Sequence, residues 1–149
     1  MVCRFILWFY SIGLCAIFVW GRTDMEIKTW FLHQGLECNK DYPLSADEML
    51  ALQKNKMPES KTAKCLMACV FRKAKMLNTK GMYDWETMYT FAEKEYTDNP
   101  AKIERSKKLI DMCKKVNDEA VTDGENGCER SHHLFGCLTE NAPQMGFQI

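Results

Sequence analysis

The stretch PESKTAKCLMACVFRKAKML, residues 58–77, decides the fold. Pro58-Glu59-Ser60 starts a helix, and Leu66, Val70, Ala74 and Leu77 then recur at steps of three and four. Met67 and Phe71 flank that stripe, so one helical face is apolar. The spacing predicts a helix to about Leu77, ended by Asn78-Thr79-Lys80-Gly81, with Gly81 free to take the left-handed turn of a C-cap. Cys65 and Cys69 lie four apart and share a face of this helix. Their Cβ vectors run nearly parallel, which is poor geometry for a bond between them. The helix is therefore expected to be stapled to two different partners, which the spacing alone leaves open.

Outward from this stretch the pattern stays helical, with four prolines and no sustained alternation of apolar and polar residues. A first helix is expected over about Thr23 to Cys38, with Ile27, Trp30, Phe31 and Gln34 on one face. Tyr42 and Pro43 interrupt. Ser45-Ala46-Asp47-Glu48 reads as a capping box opening a second helix to about Asn55. Beyond the central helix, Asp84 caps a fourth that carries Trp85, Met88, Phe91 and Ala92. Asn99 and Pro100 open a fifth, to about Asn117. Residues 123–127 read as a flexible connection to a sixth helix, Cys128 to Asn141, and a tail with Pro143, Met145, Phe147 and Ile149 ends the chain. The fold class is all-α: one domain of six helices around an internal hydrophobic pocket.

The N-terminus sets the compartment. Arg4 precedes an apolar run from Phe5 to Trp20, broken only by Ser11 and Gly13, and Val19-Trp20-Gly21 suits a signal peptidase. Residues 1–21 are read as a secretory signal peptide and residues 22–149 as the mature helical domain. The run is short for a membrane span, which needs roughly 20 apolar residues. Cleavage removes Cys3 and Cys15 and leaves Cys38, Cys65, Cys69, Cys113, Cys128 and Cys137. An even number in a small secreted domain reads as three disulfides. The chain carries 20 basic and 20 acidic residues, and losing Arg4 makes it slightly negative. Neither nucleic acid nor an anionic membrane is an expected partner.

The spacing Cys38-x26-Cys65-x3-Cys69-x43-Cys113-x14-Cys128-x8-Cys137 resembles the six-cysteine signature of the insect odorant-binding proteins, of pheromone and general odorant type. The resemblance spans the whole mature chain and includes the six-helix count, although the 43- and 14-residue gaps are long for the family. It implies interlocked bridges, Cys38–Cys69, Cys65–Cys128 and Cys113–Cys137. It also implies a secreted carrier that binds, solubilises and transports small hydrophobic molecules through aqueous lymph, with a chemosensory membrane receptor as partner. The expected state is a monomer or a homodimer. The alternative is a secreted, disulfide-stabilised interaction or defence protein with no small-molecule site.

Three bridges exceed what a helical domain of this size needs. An interior partly vacated for cargo would account for them, because an empty cavity costs about 24 cal/mol per Å³. The candidate lining is Phe31, Met67, Val70, Phe71, Trp85, Met88, Phe91, Ile110, Leu134, Leu138 and Phe147, with Tyr83, Tyr89 and Gln34 as candidate hydrogen-bonding groups. Ten methionines favour an adaptable interior. No cofactor, metal site or catalytic set is expected. His132 and His133 are adjacent, so on a helix they point apart, and no His or Asp follows either at i+4. They read as a solvent-facing pair, with His33 a third group able to link pH to the tail. Gly-rich phosphate loops and nucleophile elbows do not occur.

Overall fold

The structure is a computed structural model, and it describes residues 23–147. The signal-peptide reading of residues 1–21 and the tail residue Ile149 lie outside the described residues. Among those described, the chain forms α1 (Asp24–Cys38), α2 (Ala46–Gln53), α3 (Lys61–Lys73), α4 (Trp85–Glu95), α5 (Pro100–Cys113) and α6 (Cys128–Asn141), with three short 3-10 turns. Each of the first five helices starts where a side chain can accept a free backbone N–H: Thr23, Ser45, Ser60, Asp84 and Asn99. Thr23–Glu26 and Ser45–Glu48 are complete capping boxes. Glu48 also accepts the Ser60 hydroxyl at 2.5 Å, tying the start of α2 to the start of α3. That bond, with those from Ser45, holds the Glu48 carboxyl below the usual glutamate range.

Two expectations are corrected. The central helix stops at Lys73 rather than near Leu77, and Gly81 is not its cap. Lys75 takes the left-handed conformation instead (φ 57°). Its N–H bonds to the Arg72 carbonyl at 2.9 Å and that of Met76 to the Phe71 carbonyl at 2.8 Å, a Schellman closure. The early stop lets Leu77 pair with Tyr83 across a tight turn. Asn78 organises that turn by accepting from Lys80 and Met82. The second correction concerns residues 123–127, which are tied down. Gly124–Asn126 is a 3-10 turn. Asp123 Oδ2 accepts from the N–H groups of Cys128 (2.6 Å) and Glu129 (3.2 Å), capping α6 from outside.

α3 is the hub, packed on α6 and on α1, while α4 lies along α5 and α5 along α6. Its stripe supplies Ala63, Leu66, Met67, Val70 and Phe71 to the core. The disulfides are interlocked: Cys38–Cys69 joins α1 to α3, Cys65–Cys128 joins α3 to the first residue of α6, and Cys113–Cys137 joins α5 to α6. Cys65 and Cys69 thus leave one face of α3 for different helices. The last turn of α5 tightens into a 3-10 segment, Lys114–Asn117. Asn117 then exchanges two hydrogen bonds with the Tyr83 backbone, at 2.8 and 3.0 Å, fastening the α3–α4 loop to the end of α5.

Candidate functional site

Ten of the eleven nominated lining residues fall in one apolar cluster. Met67, Val70, Phe71, Met88, Ile110 and Leu134 are buried, and Phe31, Trp85, Phe91 and Leu138 are partly buried against them. Periodicity explains why. On each helix these positions recur at three- and four-residue steps, so the helices turn one stripe toward a common centre. Cys38, Cys65, Cys113, Cys128 and Cys137 lie in the same cluster, so the staples run through its wall.

Phe147 is placed differently, at the rim. Its ring lies 6.4 Å from that of Tyr96, and the Lys102 ammonium sits 4.4 Å from the Tyr96 ring centroid and 5.9 Å from that of Phe147. Lys102 also binds Asp24 Oδ1 at 2.5 Å, with only 17% of its side chain exposed. One cation on α5 therefore gathers the start of α1, the end of α4 and the tail. A Lys can do this because its apolar stem packs while its head satisfies both a carboxylate and ring faces.

The nominated polar groups divide. Tyr83 is buried, and that burial pushes its phenol above the usual tyrosine range. Tyr89 turns to the surface, where its hydroxyl bonds to Asp111 and accepts from Lys114 at 2.7 Å. Lys114 in turn lies 2.6 Å from Asp111 and 3.9 Å from the Trp85 ring centroid. The bonds from Asp111 and Tyr89 hold this ammonium above the usual lysine range. Gln34 sits 3.2 Å from His33 Nδ1 on α1.

His132 is not the solvent-facing residue the sequence suggests. Its side chain is 28% exposed, its Nδ1 is buried without a partner, and its Nε2 lies 3.8 Å from Glu59. Burial lowers its pKa below the ordinary histidine value, and this outweighs the opposing pull of Glu59.

Two clefts open at the surface beside Cys128, the first of them also bordered by Cys65 and Ala68 of the apolar cluster. One of about 250 Å³ is lined by Tyr42, Lys61, Ala68 and Arg72 among others. The second, about 390 Å³, adds Glu59, Lys64, Thr122 and Glu129. Both are open and mixed in charge, and neither touches any of the eleven nominated residues. An apolar molecule would leave its surface wet there, so the apolar cluster is the better candidate. Among the described residues no three His, Cys, Asp or Glu side chains are grouped to hold a metal ion, and no helix is long and apolar enough to cross a membrane.

Sequence reasoning overlooked Lys102 and Ser106, both on α5. Ser106 is buried at 8% exposure with no hydrogen-bond partner. Its place on the Ile103–Ser106–Ile110–Cys113 strip, at steps of three and four, was the available signal.

Comparison with known proteins gives one consistent result. The sequence model of the PBP/GOBP family matches residues 22–141. General odorant-binding protein 19d of Drosophila melanogaster is 21% identical over 113 residues, which are 76% of this chain and 72% of the relative. Among solved structures, the fold is similar to odorant-binding protein dmelOBP28a from Drosophila melanogaster, with TM-score 0.63 and 21% identity, over 85% of this chain and 100% of that one. It is also similar to a pheromone-binding protein of the cockroach Leucophaea maderae solved with the fluorescent reporter ANS, with TM-score 0.56 and 20% identity, over 76% and 92% of the two chains.

Proposed function

This chain belongs to the PBP/GOBP family of odorant- and pheromone-binding carriers, and from that premise we propose that it holds its small hydrophobic cargo in the apolar cluster enclosed by α1, α3, α4, α5 and α6. The observation that carries this reading is the convergence of ten apolar candidates, from five helices, on one interior crossed by three disulfides. The interior is rich in groups that can move aside: Met67, Met76 and Met88 are all buried there. Their unbranched side chains rearrange at low cost.

The mechanism is burial and release, with no covalent step. A ligand burying about 300 Å² of apolar surface gains roughly 7 kcal/mol before ordering costs. Micromolar affinity is the expected result. The site works outside the cell, where the three disulfides persist, and a chemosensory membrane receptor takes the cargo. The alternative of an interaction or defence protein without a small-molecule site is not favoured by the family.

The test uses the purified, oxidised chain and ANS, which the cockroach relative binds. ANS fluorescence should rise on mixing and fall when an apolar competitor is added. Replacing Met67 and Met88 by Trp, to fill the interior, should abolish uptake while circular dichroism stays helical. Undiminished uptake by that variant would place the cargo elsewhere.

A further inference from the structure

We propose that the smaller surface cleft, between α3 and the turn that precedes α6, is a second binding site, and that it takes the carboxylate of a short organic acid against Lys61. The site lies outside the apolar interior and does not depend on the carrier reading.

α3 supplies one wall. Lys61, Cys65, Ala68 and Arg72 follow one another at steps of four, three and four, so they form a single strip along that helix. Asp123, Asn126 and Cys128 line the cleft as well, and Tyr42 borders it, around about 250 Å³. Lys61 and Arg72 stand about 16 Å apart along the helix axis, one at each end of the strip. Between them Cys65 and Ala68 present a small, apolar floor that suits a short hydrocarbon chain.

The charges differ in how far they are already engaged. Arg72 donates to the Glu125 carbonyl at 2.5 Å, which bridges the cleft and leaves further N–H groups to give. Asp123 would repel an anion, but its Oδ2 accepts from the first amides of α6, those of Cys128 and Glu129, and the positive end of that helix offsets its charge. Lys61 has no such commitment. Its ammonium makes no hydrogen bond or ion pair with a described residue, and the nearby Glu59 is bound by Lys64 at 2.8 Å instead. The Tyr42 hydroxyl is likewise unpaired among the described residues. Lys61 is also the first residue of a 13-residue helix whose first turn carries no acid, so its ammonium and the helix dipole act on the same space.

Three kinds of donor therefore border one cleft: an ammonium, a phenol and the remaining guanidinium N–H groups. A carboxylate accepts from all of them, and bonds to a charged donor are roughly twice as strong as neutral ones. An amine would meet two cations there, and an alcohol would forgo the charge. The adjoining cleft has the opposite balance, with Glu59, Asp123 and Glu129 against Lys61 and Lys64. An acid is thus drawn to the Arg72 side of Lys61.

The experiment adds sodium hexanoate, hexylamine or hexanol to the full oxidised protein in the presence of N-phenyl-1-naphthylamine and follows backbone amide shifts by NMR. Uptake of the naphthylamine tests the carrier reading and has no bearing on this one. Hexanoate should shift the amides of Lys61, Ala68, Asn126 and Cys128 saturably, with affinity in the millimolar range, and more weakly as salt is added. Hexylamine and hexanol should leave those amides in place. Lys61→Gln should weaken hexanoate at least about fivefold, while Lys61→Arg stays within about twofold. Lys115→Gln, at an exposed lysine that lines neither cleft, should change nothing. Equal shifts with hexanol, undiminished binding by Lys61→Gln, or hexanoate shifts confined to interior amides such as that of Leu134 would overturn the proposal.

Discussion

Gly81 and Gly127 lie back to back, each in the left-handed conformation (φ 70° and 66°), with no room for a Cβ on either. A Cβ on Gly81 would stand 3.0 Å from the carbonyl oxygens of Gly124 and Glu125 and 3.1 Å from Gly127 Cα. One on Gly127 would meet Gly81 Cα at 3.1 Å. This contact sets the α3–α4 turn against the start of α6, beside the Cys65–Cys128 bridge. Gly81 was expected as a helix cap; the structure uses it for close approach.

Replacing either glycine by alanine should therefore cost about 2 kcal/mol, from left-handed strain and displaced backbone. Urea denaturation measures it. Because the two positions touch, the double variant should lose clearly less than the sum of the singles. Strict additivity would show that the approach is not the cause.

The three disulfides should differ in worth. Cys65–Cys128 closes a separation of 63 residues, Cys38–Cys69 one of 31 and Cys113–Cys137 one of 24. Chain entropy assigns roughly 4.3 kcal/mol to the first and about 3.5 kcal/mol to the last. Paired Cys→Ala variants should rank in that order by denaturation midpoint.

Acidification should weaken the fold through His132. Its folded pKa lies below the ordinary 6.5 because burial disfavours the imidazolium. Lys64 and His133 act in the same sense, and only Glu59 opposes them. The unfolded chain then binds the proton more readily than the folded one. Stability is full above pH 6.5 and declines as pH falls from there to the lower folded value. Melting temperature followed from pH 7 to pH 5 should drop in wild type and drop less in His132→Gln. The carboxylates held low by hydrogen bonds, such as Glu48 and Glu129, contribute their own losses only below about pH 4.5.

Lys102 should govern the tail. Lys102→Ala removes the cation that Asp24, Tyr96 and Phe147 share, an interaction worth roughly 1 kcal/mol. The amide of Phe147, bonded to the Ala142 carbonyl at 3.0 Å, should then exchange with deuterium about fivefold faster. Amides in α3 should be unaffected. Lys102→Arg should keep most of the protection, since guanidinium also stacks on rings.

What the sequence determined by itself was local. Thr23, Ser45, Asp84 and Asn99 each mark a helix start that needs only neighbouring N–H groups, and the observed starts follow them. The inward stripes are also local, because a 3.6-residue period assigns a face without knowing what it faces. On that ground ten of the nominated positions fall in the apolar cluster. Tertiary structure decided the rest, wherever a group's role depends on something distant in the chain. Lys75, not Gly81, closed α3, and the chain beyond it pairs Leu77 with Tyr83. Asp123 ordered a stretch that composition alone marks as mobile. Lys102 found a carboxylate 78 residues away, and Tyr89 spent its hydroxyl on Asp111 at the surface. Ser106 looks like any helix serine until packing removes both water and partners from it. Periodicity tells which way a side chain points, and only the assembled helices determine what it meets there.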